Sequence, residues 1–524
     1  MYSCTSCPGR TSRILMLVPS GFLIALAVAM TQPVLPIHAE NWPQWRGPTN
    51  NGISLESKLP VRWNRTHNVA WRVALPGRAG STPVVWNGQI FLTSAEDDKL
   101  VTMSFDHTGK ELWKRVVSSG NRDVVVRTYE GNSASPSPVT DGQHVWVFFA
   151  TGDLACYDIH GKNLWHMNLQ EHYGDFDIQF GLASSPLLHE NQLFLQIIHG
   201  PMRSPGEPGF VVALNALTGK EIWKTARTTN AHFECKHSYA SPILYQDSDR
   251  KYLLTHGSDF VIAHRLIDGK ELWRHGGLNP SASPSNQPKV AIAKRFDINN
   301  DGTISRKEIP EGPKLKLFDR LAKLYGINPD SAYTVSELSE AFRSSRRSER
   351  SAQPSLPEGY HRTLRFVASP VTIPGLIIVP SAKNGPVLAL HPQRSQNPTT
   401  VHPSEIWKMP RGTPDVPSPL IHDGLVYLCS ENGVLSCIDA KTGQTLYKER
   451  FHTQRHRASP IYGDGNIYLT GRDGLVTVVK AGRHFERVAQ NPLEEPITAS
   501  PIVSDGTLYL RSFEALWAIR KGEL

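Results

Sequence analysis

The feature that most constrains this chain is a motif that occurs eight times: a small hydroxyl residue, then proline, at the start of a short apolar run. The hydroxyl residues are Thr82, Ser137, Ser185, Ser241, Ser369, Ser418, Ser459 and Ser500. Most copies continue into a turn, which is Asp-Gly in four of them, and a second β-rich run. A unit repeated at this scale cannot bury its apolar face alone and has to stack on its neighbours.

An aromatic residue ends most of these units, after a third strand and a turn. The aromatics are Trp113, Trp165, Trp223, Trp273, Trp407, Tyr447 and Phe485. The eighth unit reaches the chain end without such a strand, but residues 68–75, before the first unit, show the same aromatic strand pattern. Pairing residues 68–75 with the last unit would remove an exposed strand edge, which is an aggregation hazard. The sequence therefore predicts an all-β fold, an eight-bladed β-propeller of four-stranded blades closed by an N-terminal strand.

The turn that precedes each aromatic carries a recurrent signature, clearest at residues 213–223 and repeated at residues 105–113 and 437–443. Its Asp or Asn binds local backbone, and its glycine adopts a positive φ. This pattern resembles the quinoprotein-like (PQQ-type) propeller repeat. That superfamily includes quinoprotein alcohol dehydrogenases and the propeller lipoprotein of the outer-membrane barrel assembly machine. The resemblance covers residues 42–524 and implies the fold, whereas propellers of one fold host many functions.

Residues 1–39 resemble a secretory signal. Arg10 and Arg13 precede an apolar segment, residues 14–30, and small residues allow cleavage after Ala39. An uncleaved membrane anchor is the alternative interpretation. Because both place the propeller outside the cytoplasm, we expect a periplasmic or secreted protein. No cysteine lies directly after the apolar segment, so a lipoprotein anchor is not expected.

Charge and cysteine content set two further bounds. The formal net charge of +8 is mild for 524 residues and forms no dominant basic stripe, so nucleic acid is not an expected partner. Beyond the signal segment, Cys429 and Cys437 are predicted to lie on adjacent strands of one blade. The sequence is compatible either with two buried thiols or with a disulfide there.

A long insertion separates the fourth and fifth units. Pro242 and Pro370 are 128 residues apart, whereas Pro419 and Pro460 are 41 apart. The sequence therefore divides into an N-terminal cap with blades 1–4 (residues 40–280), an inserted α-helical module (281–345), a linker (346–365) and blades 5–8 (366–524).

The inserted module contains an EF-hand calcium loop at residues 297–308, which agrees with the motif at every diagnostic position. Gly302 allows the sharp turn in the middle of the loop. The expected calcium ligands are Asp297, Asn299, Asp301, the backbone carbonyl of Thr303, Ser305 through water, and a bidentate Glu308.

Residues 326–337 align as a second, degenerate EF-hand loop. Gly326 removes the first-position carboxylate, and Ser331 replaces the turn glycine. We expect this loop to pair with the first without binding calcium, with helices near residues 314–325 and 335–342. Pro310 shortens the exit helix of the first loop, which favours a structural calcium over a signalling switch.

Catalytic motifs are absent from the sequence, and no catalytic or cofactor-binding residues are expected. Quinoprotein dehydrogenases, which the repeats resemble, carry two adjacent cysteines over the quinone and carboxylate, Asn and Asp contacts to an active-site calcium. No two cysteines are adjacent here, so PQQ is not an expected cofactor. The leading hypothesis is a secreted or periplasmic calcium-binding propeller with a binding or scaffolding role. The alternative is a PQQ-type oxidoreductase or another enzyme that uses the propeller funnel.

Connection lengths indicate where a partner would bind. The segment from Trp113 to Pro138 spans 25 residues, whereas the segment from Trp407 to Pro419 spans 12. Long outer-to-inner connections therefore gather on one face, over blades 1–5, and long ordered loops on a rigid scaffold are common binding elements. We expect a protein or an extracellular polymer as the partner on this face.

Overall fold

The computed structural model describes residues 40–120, 131–201, 209–229, 231, 233–278, 293–325, 327–348, 364–394 and 401–522. Eight four-stranded antiparallel sheets form the blades of a β-propeller. The predicted fold is confirmed, while the predicted signal segment, residues 1–39, lies outside the described residues. No helix within the described ranges is long and apolar enough to span a membrane.

In sheet order, the strands of blades 1 to 4 are Val84–Trp86, Gln89–Glu96, Lys99–Phe105 and Glu111–Ser119; Val139–Thr140, His144–Phe148, Asp153–Asp158 and Asn163–Asn168; Leu187–His189, Gln192–Ile197, Phe210–Asn215 and Glu221–Ala226; and Ile243–Gln246, Lys251–Gly257, Phe260–His264 and Glu271–His275. Those of blades 5 to 8 are Val371–Ile373, Leu376–Pro380, Val387–Arg394 and Val401–Met409; Leu420–His422, Leu425–Cys429, Val434–Asp439 and Thr445–Arg450; Ile461–Gly463, Asn466–Thr470, Leu475–Lys480 and Arg487–Pro492; and Ile502–Ser504, Thr507–Arg511, Ala515–Ile519 and Val69–Ala74.

The remaining elements are short. Helix α1 follows the outer strand of blade 2, and helices α2 and α3 lie in the insertion together with a two-stranded ribbon. Their bounds are Leu169–Tyr173 (α1), Pro313–Tyr325 (α2), Val335–Ser348 (α3), Thr303–Ile304 and Tyr333–Thr334 (ribbon), and Phe233–Lys236 and Arg306–Glu308 (3₁₀ turns).

The N-terminal strand closes the ring as predicted. Val69–Ala74 pairs antiparallel with Ala515–Ile519 and becomes the outer strand of blade 8. The first and last parts of the propeller are thereby joined by a hydrogen-bond ladder, and blade 8 has no missing strand.

The hydroxyl residues of the recurrent motif form a closed ring of hydrogen bonds around the propeller axis. In each blade the backbone N–H of this residue donates to the side-chain oxygen of its counterpart in the next blade, over 2.9–3.1 Å. The ring starts at Thr82, passes through seven serines and returns from Ser500 to Thr82. The proline that follows each hydroxyl residue has no N–H that would need a partner. The motif is therefore the means by which neighbouring blades are joined at the axis.

Neighbouring blades are also joined at their outer edges, by tryptophan. The indole N–H of an outer-strand tryptophan donates, over 2.8–3.0 Å, to a carbonyl in the last turn of the next blade. A Cβ on the glycine of that turn would lie 2.3–3.0 Å from the indole ring. The turn glycine is thus needed for close packing as well as for its positive φ. The pairs are Trp71–Gly109, Trp113–Gly161, Trp165–Gly219, Trp223–Gly269 and Trp407–Gly443.

The N-terminal cap crosses the propeller at the ends of the inner strands. Trp42 forms a β-bridge with Val85 of blade 1. On the other side of the ring, the buried Arg46 donates to the carbonyls of Pro460 and Pro419, over 2.8 and 2.7 Å. Burial lowers the pKa of Arg46 to about 9, and the carbonyls bind its charged form. The cap therefore ties blade 1 to blades 6 and 7 across the channel.

The first prediction concerns the ring of hydroxyls. Ser185→Ala removes the oxygen that accepts the N–H of Ser137 and leaves this buried donor unpaired. We expect the free energy of unfolding to fall by about 1–3 kcal/mol, measured by denaturant titration.

Ser184 is the matched control, because it is equally buried but its hydroxyl has no hydrogen-bond partner among the described residues. Ser184→Ala should be neutral or slightly stabilising. Equal effects of the two substitutions would contradict the role of the ring.

A buried carboxylate fixes the closing strand. Glu495 accepts hydrogen bonds from Arg72 of the closing strand at 2.8 Å and from the indole of Trp517 at 2.9 Å, and also from Ser512. Burial alone would raise the pKa of Glu495, but the hydrogen bonds from Ser512, Trp517 and Arg72 outweigh burial and lower it. Because the folded pKa is lowered, this contribution to stability is present above about pH 4.3 and is lost as the pH falls through the folded pKa.

We predict that Glu495→Gln lowers the free energy of unfolding at pH 7 by about 1–3 kcal/mol, because charge-assisted hydrogen bonds to Arg72 are weakened. The difference from the unmodified protein should shrink at acidic pH. Glu494→Gln is the control, since its pair with Arg65 is largely exposed and should contribute well under about 1 kcal/mol. Thermal unfolding measured across pH tests both, and a pH-independent difference would contradict this role of the Glu495 carboxylate.

Candidate functional site

The predicted calcium loop brings three carboxylates together. Asp297, Asp301 and Glu308 each offer an oxygen atom, and these atoms all lie within 4.8 Å of one another. No other group of three His, Cys, Asp or Glu side chains in the described ranges is gathered in this way. The three residues occupy positions 1, 5 and 12 of the predicted loop.

Backbone donors hold this loop in its turn. The N–H of Gly302 donates to Asp297 Oδ2 over 3.1 Å, and the N–H of Thr303 donates to Asp301 Oδ1 over 2.7 Å. Gly302 has φ +85°, a conformation that glycine adopts without strain, as the motif requires. These bonds orient the carboxylates, and among the described residues Asp297 Oδ1 has no hydrogen-bond partner although it is enclosed.

The other predicted ligands lie in the same loop. Asn299 donates from Nδ2 to Asp301 Oδ2 over 2.8 Å, and its Oδ1 accepts from the N–H of Asp301. Thr303 belongs to the short ribbon, and the N–H of Ser305 donates to Glu308 Oε1. The amide of Asn299, the carbonyl of Thr303 and the hydroxyl of Ser305 supply oxygen atoms of the kind that Ca²⁺ prefers.

The degenerate loop lies beside the first. Ile304 pairs with Tyr333, so the eighth positions of the two loops face each other in the ribbon. The position-12 residue of the second loop, Glu337, accepts from the N–H and hydroxyl of Thr334 at 2.8 and 2.9 Å. Its first position, Gly326, lies outside the described residues. Glu308 of the first loop accepts from the N–H of Ser305 at the equivalent position, so the two loops share this local hydrogen bond.

The two loops and their helices enclose a small apolar core of their own. Helix α2 coincides with the expected segment, while α3 continues to Ser348, beyond the expected module boundary at residue 345. Phe296 packs edge-on against Phe318, with ring centroids 5.3 Å apart. The core residues are Ala293, Phe296, Ile304, Ile309, Phe318 and Leu338.

A second candidate site is the cavity in the propeller channel, with a volume of about 520 Å³. Trp45 of the N-terminal cap lines it, as do seven of the eight ring hydroxyl residues, all except Ser369. Its other lining residues include Arg78, Arg365 and Arg457, which lie on outer-to-inner connections. The cavity therefore lies on the face that carries these connections, and no sequence motif indicates its arginines.

Charged residues surround the cavity unevenly. The described lining contains three arginines but no Asp, Glu or His. Behind the lining, the buried Asp415 lies 3.4 Å from Arg457 and Lys383 and 3.9 Å from Arg365, and Glu234 lies 3.5 Å from Arg365. Burial alone would raise the pKa of Asp415, but a hydrogen bond with Glu431 and the charges of Arg365, Lys383 and Arg457 outweigh burial and lower it. Asp415 thus stays ionised behind the lining, and the arginines face the cavity.

The cavity does not fit the quinone chemistry of dehydrogenases with related repeats. Its described lining offers no carboxylate to hold an active-site calcium, and the chain has no adjacent cysteines. Cys429 and Cys437 are both free and buried, and Cys437 stands opposite Tyr427 rather than Cys429. Burial raises the pKa of Cys437 to about 11, so this thiol is not a reactive thiolate.

Comparisons with known proteins agree with this architecture. Among solved structures, BamB from Moraxella catarrhalis superposes with a TM-score of 0.51 at 11% identity, covering 86% of this chain and 99% of that chain. The quinohemoprotein alcohol dehydrogenase from Comamonas testosteroni superposes with a TM-score of 0.54 at 12% identity, covering 92% of this chain and 81% of that chain. At such identities both likenesses show the fold alone. Comparison with curated protein sequences gives no significant match.

A family model with PQQ-like repeats, described as outer membrane protein assembly factor BamB, matches residues 59–195, 132–283 and 399–483. These segments take in blades 1 to 4, blade 6 and most of blade 7, which is more than half of the chain. The chain therefore belongs to this PQQ-like propeller family.

Proposed function

We propose that this protein is a calcium-binding β-propeller that acts outside the cytoplasm as a binding or scaffolding protein. The observation that carries the calcium proposal is the convergence of the Asp297, Asp301 and Glu308 oxygens within 4.8 Å. Like charges held this close together repel one another. A cation between the carboxylates would convert this repulsion into attraction.

The donor set favours calcium among common cations. The carboxylate, amide, hydroxyl and backbone oxygens of the loop are hard ligands, and the loop lacks the sulfur and imidazole donors that favour zinc. The enclosed Asp297 Oδ1 is a ligand atom without a protein partner among the described residues. Extracellular calcium is high enough to occupy sites of millimolar affinity, which suits a structural ion.

The binding role rests on one face of the propeller. The calcium module and the longer outer-to-inner connections emerge on the face where the cavity also lies. A protein or an extracellular polymer would contact this long-loop face over blades 1–5. The ring of hydroxyls and the N-terminal cap keep the scaffold below these loops rigid, which limits the ordering cost of binding.

The calcium proposal predicts one ion per chain. Calorimetric titration of calcium into the EDTA-treated protein should give a single site, and Glu308→Gln should abolish it because the bidentate clamp is removed. Asp297→Ala should have the same effect. At tenfold saturation the site should stabilise the native state by about 1.4 kcal/mol.

Glu337→Gln is the matched control, because it changes the same position of the degenerate loop. It should retain one ion with unchanged affinity. Two ions in the unmodified protein would show that the degenerate loop also binds, and one ion retained in both Asp297→Ala and Glu308→Gln would place the calcium elsewhere.

An enzymatic role of the PQQ type is the second candidate, because the chain shares its fold with a quinohemoprotein dehydrogenase. The cavity lining argues against it. We predict that protein incubated with PQQ and calcium gains no dye-coupled alcohol oxidation. Turnover together with stoichiometric quinone absorbance would favour the enzyme instead.

A further inference from the structure

We propose that the channel cavity binds a small hydroxylated carboxylate, a molecule of the sugar-acid class. This inference rests on the proposed binding role of the propeller and names the ligand chemistry of its channel. It does not depend on the calcium loop. Three properties of the lining carry it: its hydroxyl donors, its cationic character and its aromatic walls.

The ring of hydroxyls presents donors to the cavity. Each ring oxygen accepts a backbone N–H from the preceding blade, so that part of its acceptor capacity is used. A hydroxyl also carries one hydrogen to donate. Within the described part of the chain, none of the lining ring hydroxyls donates to a protein acceptor. A ligand rich in oxygen acceptors would satisfy these hydrogens.

Tyr239 adds a further donor of the same kind. Its hydroxyl oxygen accepts from the N–H of Phe180 over 3.2 Å, and its ring lines the cavity. The lining also contains a hydrogen-bond acceptor, Asn132 Oδ1, which is buried and has no partner among the described residues. A ligand that offers hydroxyl donors as well as acceptors would therefore fit better than a simple inorganic anion.

The contacts of Arg365 indicate that this ligand carries a negative charge. Its guanidinium is 3.5 Å from Glu234 Oε2 and 3.9 Å from Asp415 Oδ1, both longer than the 2.7–2.9 Å typical of charge-assisted hydrogen bonds. A guanidinium has five N–H donors, and such loose pairs do not use them all. Because the lining holds three arginines and no acid, a carboxylate would be attracted and a cation repelled.

The aromatic residues provide flat walls of the right size. Phe180 packs under the Arg365 guanidinium at 4.8 Å, which leaves the edge of the guanidinium available for planar recognition of a carboxylate. Trp45, Tyr239 and Phe513 supply further apolar surface against which the C–H face of a sugar ring can pack. A volume of about 520 Å³ lies in the range of small-molecule sites.

The test compares three probes by calorimetric titration of the full chain in calcium-containing buffer. D-Glucuronate carries both the carboxylate and the hydroxyls, D-glucose carries only the hydroxyls, and sulfate carries only charge. We expect 1:1 binding of glucuronate, at least tenfold tighter than binding of glucose or sulfate and weaker at high salt. Arg365→Gln should lower glucuronate affinity at least tenfold and leave glucose binding nearly unchanged.

Arg483→Gln is the matched control, because Arg483 is an exposed arginine outside the cavity, paired with Asp439. It should bind glucuronate like the unmodified protein. Circular dichroism and thermal unfolding of the Arg365→Gln sample report whether the propeller is folded, and a separate calcium titration of EDTA-treated protein tests the calcium proposal. The proposal is overturned if glucuronate shows no saturable binding, if glucose or sulfate binds as tightly, or if folded Arg365→Gln binds glucuronate normally.

Discussion

The hydrogen bond between motif residues of neighbouring blades is the interaction on which the rest of the structure depends. A backbone N–H at the crowded axis of a propeller is buried and needs an acceptor, or it destabilises the fold by about 1–3 kcal/mol. Here the acceptor is the hydroxyl of the next blade, so each blade satisfies its predecessor. Every blade is satisfied only when the last blade also contacts the first, which it does because the N–H of Ser500 donates to Thr82 Oγ1.

The same interaction links stability to the proposed site. The ring uses hydroxyl oxygens as acceptors of backbone hydrogen bonds, and their hydrogens remain for the channel. At the outer edge, tryptophan and the turn glycine fix each blade against the next, as Trp113 does over Gly161. Because neighbouring blades are fixed to each other both at the axis and at their outer edges, the connections above the cavity are held in place. A ligand in the channel would therefore meet preorganised donors.

The blades and the loop at residues 297–308 could be predicted because each has a pattern that is visible in a short stretch of sequence. Features that are built from distant residues could not be predicted in this way. The hydroxyl–proline motif and the aromatic strand ends recur along the chain, so repetition alone indicated eight blades and the closing role of residues 68–75. Twelve consecutive residues carry the EF-hand pattern, which makes Asp297 and Glu308 recognisable as candidate calcium ligands from the sequence alone. The loop pairing of Ile304 with Tyr333 follows from the same local alignment.

No local sequence pattern indicates the contacts of the N-terminal cap or the lining of the cavity. Arg46 binds the carbonyl of Pro419, 373 residues away, and no periodicity in the sequence relates the two. The arginines of the cavity come from connections of different blades, and each one by itself resembles an ordinary loop residue. Only ring closure brings Arg78, Arg365 and Arg457 to one lining. Sequence reasoning could therefore place the loops on one face but could not predict the charge that they present.

The position of the insertion shows how the propeller accommodates a second module. The ring of hydroxyls continues from blade 4 to blade 5 despite the insertion between them, because the N–H of Ser241 donates to Ser369 Oγ over 2.9 Å. Just before the ring, the N–H of Tyr239 donates to the carbonyl of Phe366 and the N–H of Phe366 to the carbonyl of His237. The C-terminal end of the insertion is thus fixed to the connection between blades 3 and 4, while the helices of the insertion pack on their own core. Calcium would therefore stabilise the module locally, and the channel would keep its geometry because the ring of hydroxyls, rather than the ion, defines it.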